Sequence, residues 1–204
     1  ALMRGIPGLT IVDPCDALDI EQAVPQIAAH QGPVYLRLLR GSVPMVLDEI
    51  EGYRFELGKA KLLRDGGATV SAFVSDMRLV DAPLANAGED LAGVRLWLAK
   101  GLDELVLCSS HLLAGERKDP ELASSAAFNY LMLMGTVIGG WQLARGALVA
   151  TTKLETDGTD PVFLRTQVLL AKFYAEHVLP RVLAYGVAVR AGSSSIMALT
   201  ADQF

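Results

Sequence analysis

The apolar positions between residues 9 and 40 form two short runs that flank one amphipathic segment. Residues 9–12 make the first run, residues 16–30 carry apolar side chains at helical spacing, and residues 34–39 make the second run. Asp16 is placed to accept hydrogen bonds from the free amides that open a helix, and a Gly-Pro pair follows the helical pattern. This order predicts a βαβ unit with parallel strands, which needs further neighbours to complete its sheet.

Helical spacing dominates from Gly67 almost to the end of the chain. The first predicted helix is short and is interrupted by Pro83 and Gly88, and a second begins at two acidic residues, 89 and 90, and reaches about residue 113. Asp-Pro pairs at 119–120 and 160–161 predict the starts of a third and a fourth helix. We expect Pro180 to kink the fourth helix. The predicted fold class is mainly α, a C-terminal four-helix bundle with a small N-terminal βαβ fragment.

One segment is apolar enough to raise the question of a membrane span. No charged residue occurs between Glu121 and Arg145, and the segment includes a GxxxG spacing. Polar residues inside the segment and the lack of a flanking Lys/Arg cluster argue against a span. We expect instead a central bundle helix, covered on all sides, in which Gly135, Gly139 and Gly140 let a neighbouring backbone approach.

The charge balance excludes one class of partner. The chain has 18 Lys and Arg against 23 Asp and Glu, a net charge of −5, and no basic block, so we expect no nucleic acid partner. An apolar fraction of 51% with only 6% aromatic residues suits helical packing. Cys15 and Cys108 lack CxxC spacing, which predicts neither a disulfide scaffold nor a zinc site. No signal-peptide pattern is visible, and these features together predict a cytoplasmic protein.

Few residues have the spacing of a chemical motif. The three histidines form no metal-binding pattern, the serine clusters lack a GxSxG elbow, and the paired glycines at 66–67 lack GxGxxG spacing. We therefore predict no metal ligands and no catalytic residue from spacing. Arg40 is the exception, because it follows the second predicted strand at the sheet edge where α/β folds bind ligands. Its guanidinium could clamp a phosphate, and the alternative is a solvated or ion-paired arginine at a strand end.

The first part of the chain resembles the pyrimidine-binding domain of transketolase-like enzymes over about residues 1–65. The resemblance is carried by IPGLTIVDPCD at residues 6–16, GPVYLRLLRG at residues 32–41 and FELGKA at residues 55–60. In that family the arginine that ends the second strand contacts substrate phosphate, and the matching residue is Arg40. The family's thiamine-activating glutamate lies upstream of the matched segment, and its diphosphate and magnesium site belongs to another domain. The resemblance implies thiamine diphosphate for the complete enzyme only.

From about residue 61 the chain resembles the C-terminal region of bacterial acyl-CoA dehydrogenases, in the branch that includes 3-methylmercaptopropionyl-CoA dehydrogenase. The resemblance is carried by GGWQLAR at residues 139–145, KFYAEHVLP at residues 172–180 and ALTADQF at residues 198–204. It implies FAD and acyl-CoA for intact relatives. Their catalytic glutamate precedes the matched region, so the base that removes the α-proton has no matching residue here.

The two resemblances together predict a hybrid with domains at 1–65 and 66–204. The leading hypothesis is a helical module of an acyl-CoA dehydrogenase-like flavoenzyme, non-catalytic or incomplete, that binds no cofactor by itself. One alternative is a structural or oligomerisation module, and another is a fragment of a transketolase-like enzyme. The expected partners are a second copy of the chain or the remaining enzyme subunits. The sequence leaves open whether the chain is an enzyme.

Overall fold

The computed structural model describes residues 9–38, 44–45, 47–48, 51–57, 66–115, 118–119, 121–156, 160–196 and 198. The chain divides into two units, Ala1–Lys59 and Ala60–Phe204, each with its own internal contacts. We refer to them as the N-terminal unit and the helical unit.

The N-terminal unit contains the predicted βαβ arrangement. Strand β1 (Thr10–Val12), helix α1 (Ala17–Ala29) and strand β2 (Val34–Leu36) follow one another, and the strands pair in parallel with Thr10 opposite Val34. The Asp16 carboxylate caps α1 by accepting hydrogen bonds from the backbone N–H groups of Leu18 and Asp19, at 3.0 and 3.3 Å. Strand β2 ends at Leu36, earlier than predicted, and the predicted last residue at position 39 lies outside the described residues.

Side chains of α1 hold the segment that follows the strands. Asp16 accepts a hydrogen bond from the Leu47 N–H at 2.9 Å, and the Tyr53 hydroxyl donates to Asp19. Gln22 and Gln26 accept from the backbone N–H groups of residues 55 and 57, at 2.7 and 2.9 Å. These side-chain hydrogen bonds satisfy backbone N–H groups of a segment that forms no strand among its described residues.

The helical unit confirms the mainly α fold class. Its helices are α2 (Ala68–Arg78), α3 (Asp81–Asn86), α4 (Ala92–Gly115), α5 (Leu122–Thr156), α6 (Pro161–His177) and α7 (Arg181–Val189), with a 3-10 turn at Glu89–Leu91. Helices α4 to α7 form the four-helix bundle, in which α5 contacts the other three helices, and α2 and α3 pack against α4. Its core is built mainly from leucine, valine and alanine.

Two proline positions differ from the sequence-based expectation. Pro180 does not kink a continuous helix, because α6 ends at His177 and Pro180 is the N-cap of the separate helix α7. The N–H groups of Val178 and Leu179 turn back to the Tyr174 carbonyl, which closes α6 before the proline. Pro83 does not interrupt a helix either. It lies in the first turn of α3, where an amide has no partner within the helix, while α2 has already ended at Arg78.

The prediction that α5 is covered on all sides is wrong. Its buried positions face the bundle, whereas Phe128, Leu131 and Val149 are each more than half exposed. By length and composition alone α5 could cross a membrane, and 28% of its most apolar window is buried. Its contacts with α4, α6 and α7 place it as a bundle helix, and a span is not strongly indicated.

At Gly139 and Gly140 of α5, the nearest neighbouring atoms belong to side chains. A Cβ atom added at Gly140 would lie 2.9 to 3.1 Å from the side chain of Leu179, and one added at Gly139 would meet the Tyr174 ring. A Cβ at Gly135 would meet nothing within 4 Å. The prediction that a neighbouring backbone approaches Gly135 is therefore wrong. At Gly139 and Gly140 the close approach is made by the side chains of Tyr174, in α6, and Leu179, which follows α6.

We predict opposite effects of alanine at two of these glycines. Gly140→Ala should lower the free energy of unfolding by about 1–3 kcal/mol, because the buried Leu179 must move. Gly135→Ala should raise it by about 0.5–1 kcal/mol, because alanine favours the helix and the site is open. Urea unfolding followed by tryptophan fluorescence isolates the helical unit, since Trp97 and Trp141 both lie there. Equal stabilisation by both substitutions would contradict the packing of Leu179.

Candidate functional site

The predicted phosphate contact, Arg40, lies outside the described residues and stays a prediction. The chain leading towards it leaves β2 at Arg37, whose N–H donates to the Val12 carbonyl at 2.9 Å. The Arg37 guanidinium lies 3.4 Å from the carboxylate of Asp13, which follows β1, and both side chains are exposed. Asp13 therefore offsets the charge of Arg37 at this edge of the sheet.

The histidines are not brought together. His30 Nε2 lies 3.1 Å from the Thr10 hydroxyl in the N-terminal unit, and the exposed His177 ring packs against Phe173 at the end of α6. His111 Nε2 is buried in the helical unit without a hydrogen-bond partner. Across the described ranges, no group of three or more His, Cys, Asp and Glu side chains is arranged to hold a metal ion.

Among the described residues of the helical unit, a largely enclosed group of charged side chains joins α4 to α7. Glu104 and Cys108 are one turn apart on α4, and Arg190, directly after α7, donates to the Glu104 carboxylate. Arg190 Nη1 also lies 3.2 Å from Cys108 Sγ, which is 3.8 Å from the Gly186 carbonyl oxygen. The side chains of Glu104 and Arg190 are 11% and 28% exposed, so this ion pair is largely shielded from water.

The electrostatics of this cluster keep its thiol neutral. Burial raises the pKa of Cys108 above its ordinary value, and the nearby Glu104 adds to that effect while Arg190 opposes it. The hydrogen bond to Glu104 raises the pKa of Arg190, which favours the charged guanidinium. A protonated, buried thiol is a poor nucleophile, so the cluster is suited to holding two helices together and not to covalent chemistry.

Gly186 is required for this arrangement. A Cβ atom built there would overlap the Glu104 carboxylate, so a larger residue would displace the ion pair. The sequence did not predict this cluster. Glu104 and Cys108 are four residues apart, which places them on one side of α4, but the sequence does not show that Arg190 contacts them.

Two clefts border α4. One, of about 390 Å³, lies between α2 and α4 and combines apolar side chains with the hydroxyls of Ser71, Ser75, Ser109 and Ser110. The Ser109 hydroxyl donates to the Leu105 carbonyl at 2.7 Å and lies 2.8 Å from the Tyr130 hydroxyl. Burial raises the pKa of Tyr130, so that phenol stays protonated. The polar part of this cleft therefore consists of serine hydroxyl groups and Arg78.

The other cleft, of about 300 Å³, carries paired charges between α3 and α4. Arg95 forms two hydrogen bonds to Asp81, at 2.8 and 2.9 Å, and they hold the pKa of Asp81 below its ordinary value. Arg78 lies at the border of both clefts and pairs with Asp103 at 2.6 Å. Among the described lining residues, each of these charged groups has an opposite partner, so neither cleft presents an uncompensated acid or base.

The family of the helical unit follows from its match to a family model. The acetyl-CoA dehydrogenase C-terminal like family matches residues 67–200, which contain the whole bundle. The chain belongs to this family. One relative is 3-methylmercaptopropionyl-CoA dehydrogenase of Ruegeria pomeroyi, which is 35% identical over 126 residues that cover 58% of this chain and 20% of the relative.

Other relatives are transketolase-like. The transketolase family protein y4mN of Sinorhizobium fredii is 57% identical over 111 residues, covering 52% of this chain and 32% of that protein. The 6-deoxy-6-sulfo-D-fructose transketolase subunit SqwH of a Clostridium species is 39% identical over 131 residues, covering 61% of this chain and 39% of the subunit. The chain thus spans between a fifth and two fifths of the length of these three curated relatives.

These matches confirm that the chain combines both resemblances. The alignment with y4mN covers 111 residues, which is more than the number of residues that lie outside 67–200. The transketolase similarity must therefore extend into the segment matched by the acetyl-CoA dehydrogenase C-terminal like family. The two similarities therefore overlap along the chain.

We predict that removal of the Glu104 carboxylate destabilises the helical unit. Glu104→Ala should lower its free energy of unfolding by about 2–4 kcal/mol, because Arg190 is left without its carboxylate in a largely shielded position. Asp103→Ala is the matched control on the neighbouring residue, where an exposed ion pair contributes less than about 1 kcal/mol. Urea unfolding measures both. Similar small losses in the two variants would show that the cluster does not hold α4 to α7.

Proposed function

We propose that the chain is a non-catalytic helical module of an acyl-CoA dehydrogenase-like flavoenzyme, joined to a transketolase-like segment. The match of the acetyl-CoA dehydrogenase C-terminal like family to the bundle is the observation that carries this proposal. For a complete relative, the resemblance implies FAD and an acyl-CoA thioester. This chain would contribute packing surface to such an enzyme and no acid-base chemistry.

The environment of the carboxylates supports this proposal. Oxidation of an acyl-CoA requires a carboxylate placed to remove a proton beside the thioester and a pocket that positions the flavin. In the helical unit, the shielded Glu104 is bound by Arg190, and Asp81 is bound by Arg95. In the N-terminal unit, the buried Asp16 and Asp19 receive hydrogen bonds from backbone amides and Tyr53. Each of these acids already has a structural partner.

The remaining features of the proposal concern organisation. We propose a boundary between a transketolase-like segment at 1–65 and a dehydrogenase-like module at 66–204, close to the division between the two units at Lys59 and Ala60. The transketolase similarity continues past this boundary, because 111 residues align with y4mN. The partners would be a second copy or the other subunits of an enzyme, as the subunit name of one relative suggests. We propose a cytoplasmic location, because the spacing of Cys15 and Cys108 is not that of a disulfide scaffold.

The test is a search for flavin and for turnover in the purified chain. We expect no flavin absorbance after purification or after incubation with FAD, and no acyl-CoA-dependent reduction of an electron-accepting dye. An intact 3-methylmercaptopropionyl-CoA dehydrogenase, assayed in parallel with its own substrate, shows that the assay detects the reaction. Turnover by the chain above the rate of a buffer control would overturn the assignment of a non-catalytic module.

A second candidate is a transketolase-like role in which Arg40 binds the phosphate of a sugar phosphate. The identity of 57% to a transketolase family protein over half of the chain favours it. A guanidinium can bind a phosphate through two parallel hydrogen bonds, which gives both affinity and orientation.

This role predicts that Arg40→Ala weakens the binding of fructose 6-phosphate at least about tenfold, since a charge-assisted pair is lost. Arg37→Ala is the matched control and should change binding less than about twofold, because Arg37 is already paired with Asp13. Isothermal titration calorimetry measures the affinities. If the parent chain does not bind the sugar phosphate, or if both variants bind like the parent, the role is excluded.

A further inference from the structure

The cleft of about 300 Å³ between α3 and α4, which we call the α3–α4 cleft, has an apolar wall that belongs to the core of the helical unit. The wall is formed by side chains from the end of α2, from α3 and from α4, each at most 3% exposed: Met77, Leu84, Leu98 and Leu102. Ala99 also lines it. An aliphatic group placed against this wall is transferred from water to an apolar surface, which favours its binding.

Two guanidinium groups line the same cleft. Arg78 is the last residue of α2, and Arg95 lies near the start of α4. Arg95 donates through Nε and Nη2 to the two carboxylate oxygens of Asp81, and Arg78 donates through Nη2 to Asp103 at 2.6 Å. The Nη1 groups of both arginines and Nε of Arg78 form no hydrogen bond to the described part of the chain. The cleft therefore offers N–H donors beside its apolar wall.

The two ion pairs of the cleft are held to different degrees. The hydrogen bonds from Arg95 hold the pKa of Asp81 below its ordinary value, and the charge of Arg78 lowers that pKa further. Asp81 is therefore held by both arginines. Asp103 has one hydrogen bond, from Arg78, and its side chain is 70% exposed. Because an ion pair this exposed contributes little to stability, another carboxylate can replace Asp103 on Arg78 at low cost.

The lining determines the class of ligand. The planar guanidinium matches the planar carboxylate, and both arginines of the cleft already bind carboxylates of the chain. Met77 and Leu102 directly precede Arg78 and Asp103 in the sequence, so the apolar wall begins beside the replaceable ion pair.

The size of the cleft limits the ligand further. Its volume of about 300 Å³ is about ten times the volume that one molecule occupies in liquid water. This space fits a carboxylate with a short aliphatic tail, such as hexanoate. Since Arg95 stays with Asp81, the cleft provides a position for one carboxylate, and a second charge on the ligand would lie against the apolar wall.

We propose that the α3–α4 cleft binds a short-chain aliphatic monocarboxylate, with the carboxylate on Arg78 in place of Asp103 and the tail against the apolar wall. Arg95 remains paired with Asp81 and keeps α3 against α4. This inference goes beyond the proposed function, because the chain binds the acid without converting it. It stands whether or not the chain binds flavin.

The test is a titration of the full ¹⁵N-labelled chain with hexanoate, followed by NMR. We expect saturable shifts of amide signals with a Kd of about 1 mM, as suits a ligand of this size. Arg78→Gln should raise the Kd at least about tenfold, because a charge-assisted hydrogen bond is lost. Asp103→Asn should lower the Kd at least about threefold, because it removes the carboxylate that competes for Arg78. A purely structural role of the ion pair predicts no gain of affinity in Asp103→Asn.

A second pair of variants tests the position of the tail. Ala99→Leu places a larger side chain in the cleft and should raise the Kd at least about tenfold while all charges stay in place. Ala114→Leu is the matched control, because Ala114 is exposed on the same helix and lines neither cleft that borders α4. It should leave the Kd unchanged.

Two analogues of hexanoate test the chemistry of the ligand. Hexanamide has the same shape without the charge, and adipate carries a second carboxylate at the end of the tail. Both should bind at least about tenfold more weakly than hexanoate, because the first does not pair with Arg78 as an anion and the second brings a charge to the apolar wall.

Circular dichroism shows whether each variant keeps its helical content. If Arg78→Gln loses it, Asp103→Asn and the two analogues still test the carboxylate position, because they leave Arg78 in place. The proposal is overturned if the parent shows no saturable binding of hexanoate, or if Asp103→Asn binds it no more tightly than the parent. Equal binding by Ala99→Leu and Ala114→Leu, or by hexanoate and adipate, would place the ligand away from the apolar wall and also overturn it.

Discussion

The bundle depends on one side chain that inserts between two long helices. Leu179 lies in the turn between α6 and α7 and is almost completely buried. It packs over Gly140 of α5 at a distance that leaves no room for a Cβ atom, and the same Cδ2 atom lies 3.7 Å from the Cβ position of Gly101 of α4. Because Gly140 lacks a side chain, Leu179 can pack closely against α5 while it also contacts α4.

Local rules predicted much of the secondary structure, but not the contacts between distant segments. Asp16 and Asp160 were recognised as caps because a cap depends on residues within one turn, and both accept backbone hydrogen bonds in the structure. The turn before Pro180 was not predicted, because it places Leu179 against residues of α4 and α5 that are distant in the sequence. Glu104 and Arg190 are 86 positions apart, so only the packing of α7 on α4 brings them together. Arg40 lies outside the described residues, so its assignment as a phosphate contact rests on the sequence.

The two units are stabilised in different ways. The helical unit buries a leucine-rich core, and the shielded ion pair of Glu104 and Arg190 lies within the bundle. Among its described residues, the N-terminal unit buries few large apolar side chains. The N-cap Asp16 and Asp19, Gln22 and Gln26 of α1 bind backbone and hydroxyl groups of the segment that follows the sheet. A parallel sheet is normally covered on both faces and has more than two strands. The described strands therefore have the character of a sheet edge, whereas the helical unit has a core of its own.

The exposed sides of the bundle carry large apolar residues that the packing of a single chain does not bury. Four helices that pack around one core each bury one side. An apolar residue on the opposite side stays in water, so folding of the single chain does not stabilise it. Helix α5 exposes Phe128 and Leu131, and α6 exposes Val162, Leu169 and Phe173. These side chains would be stabilised only by burial against another surface.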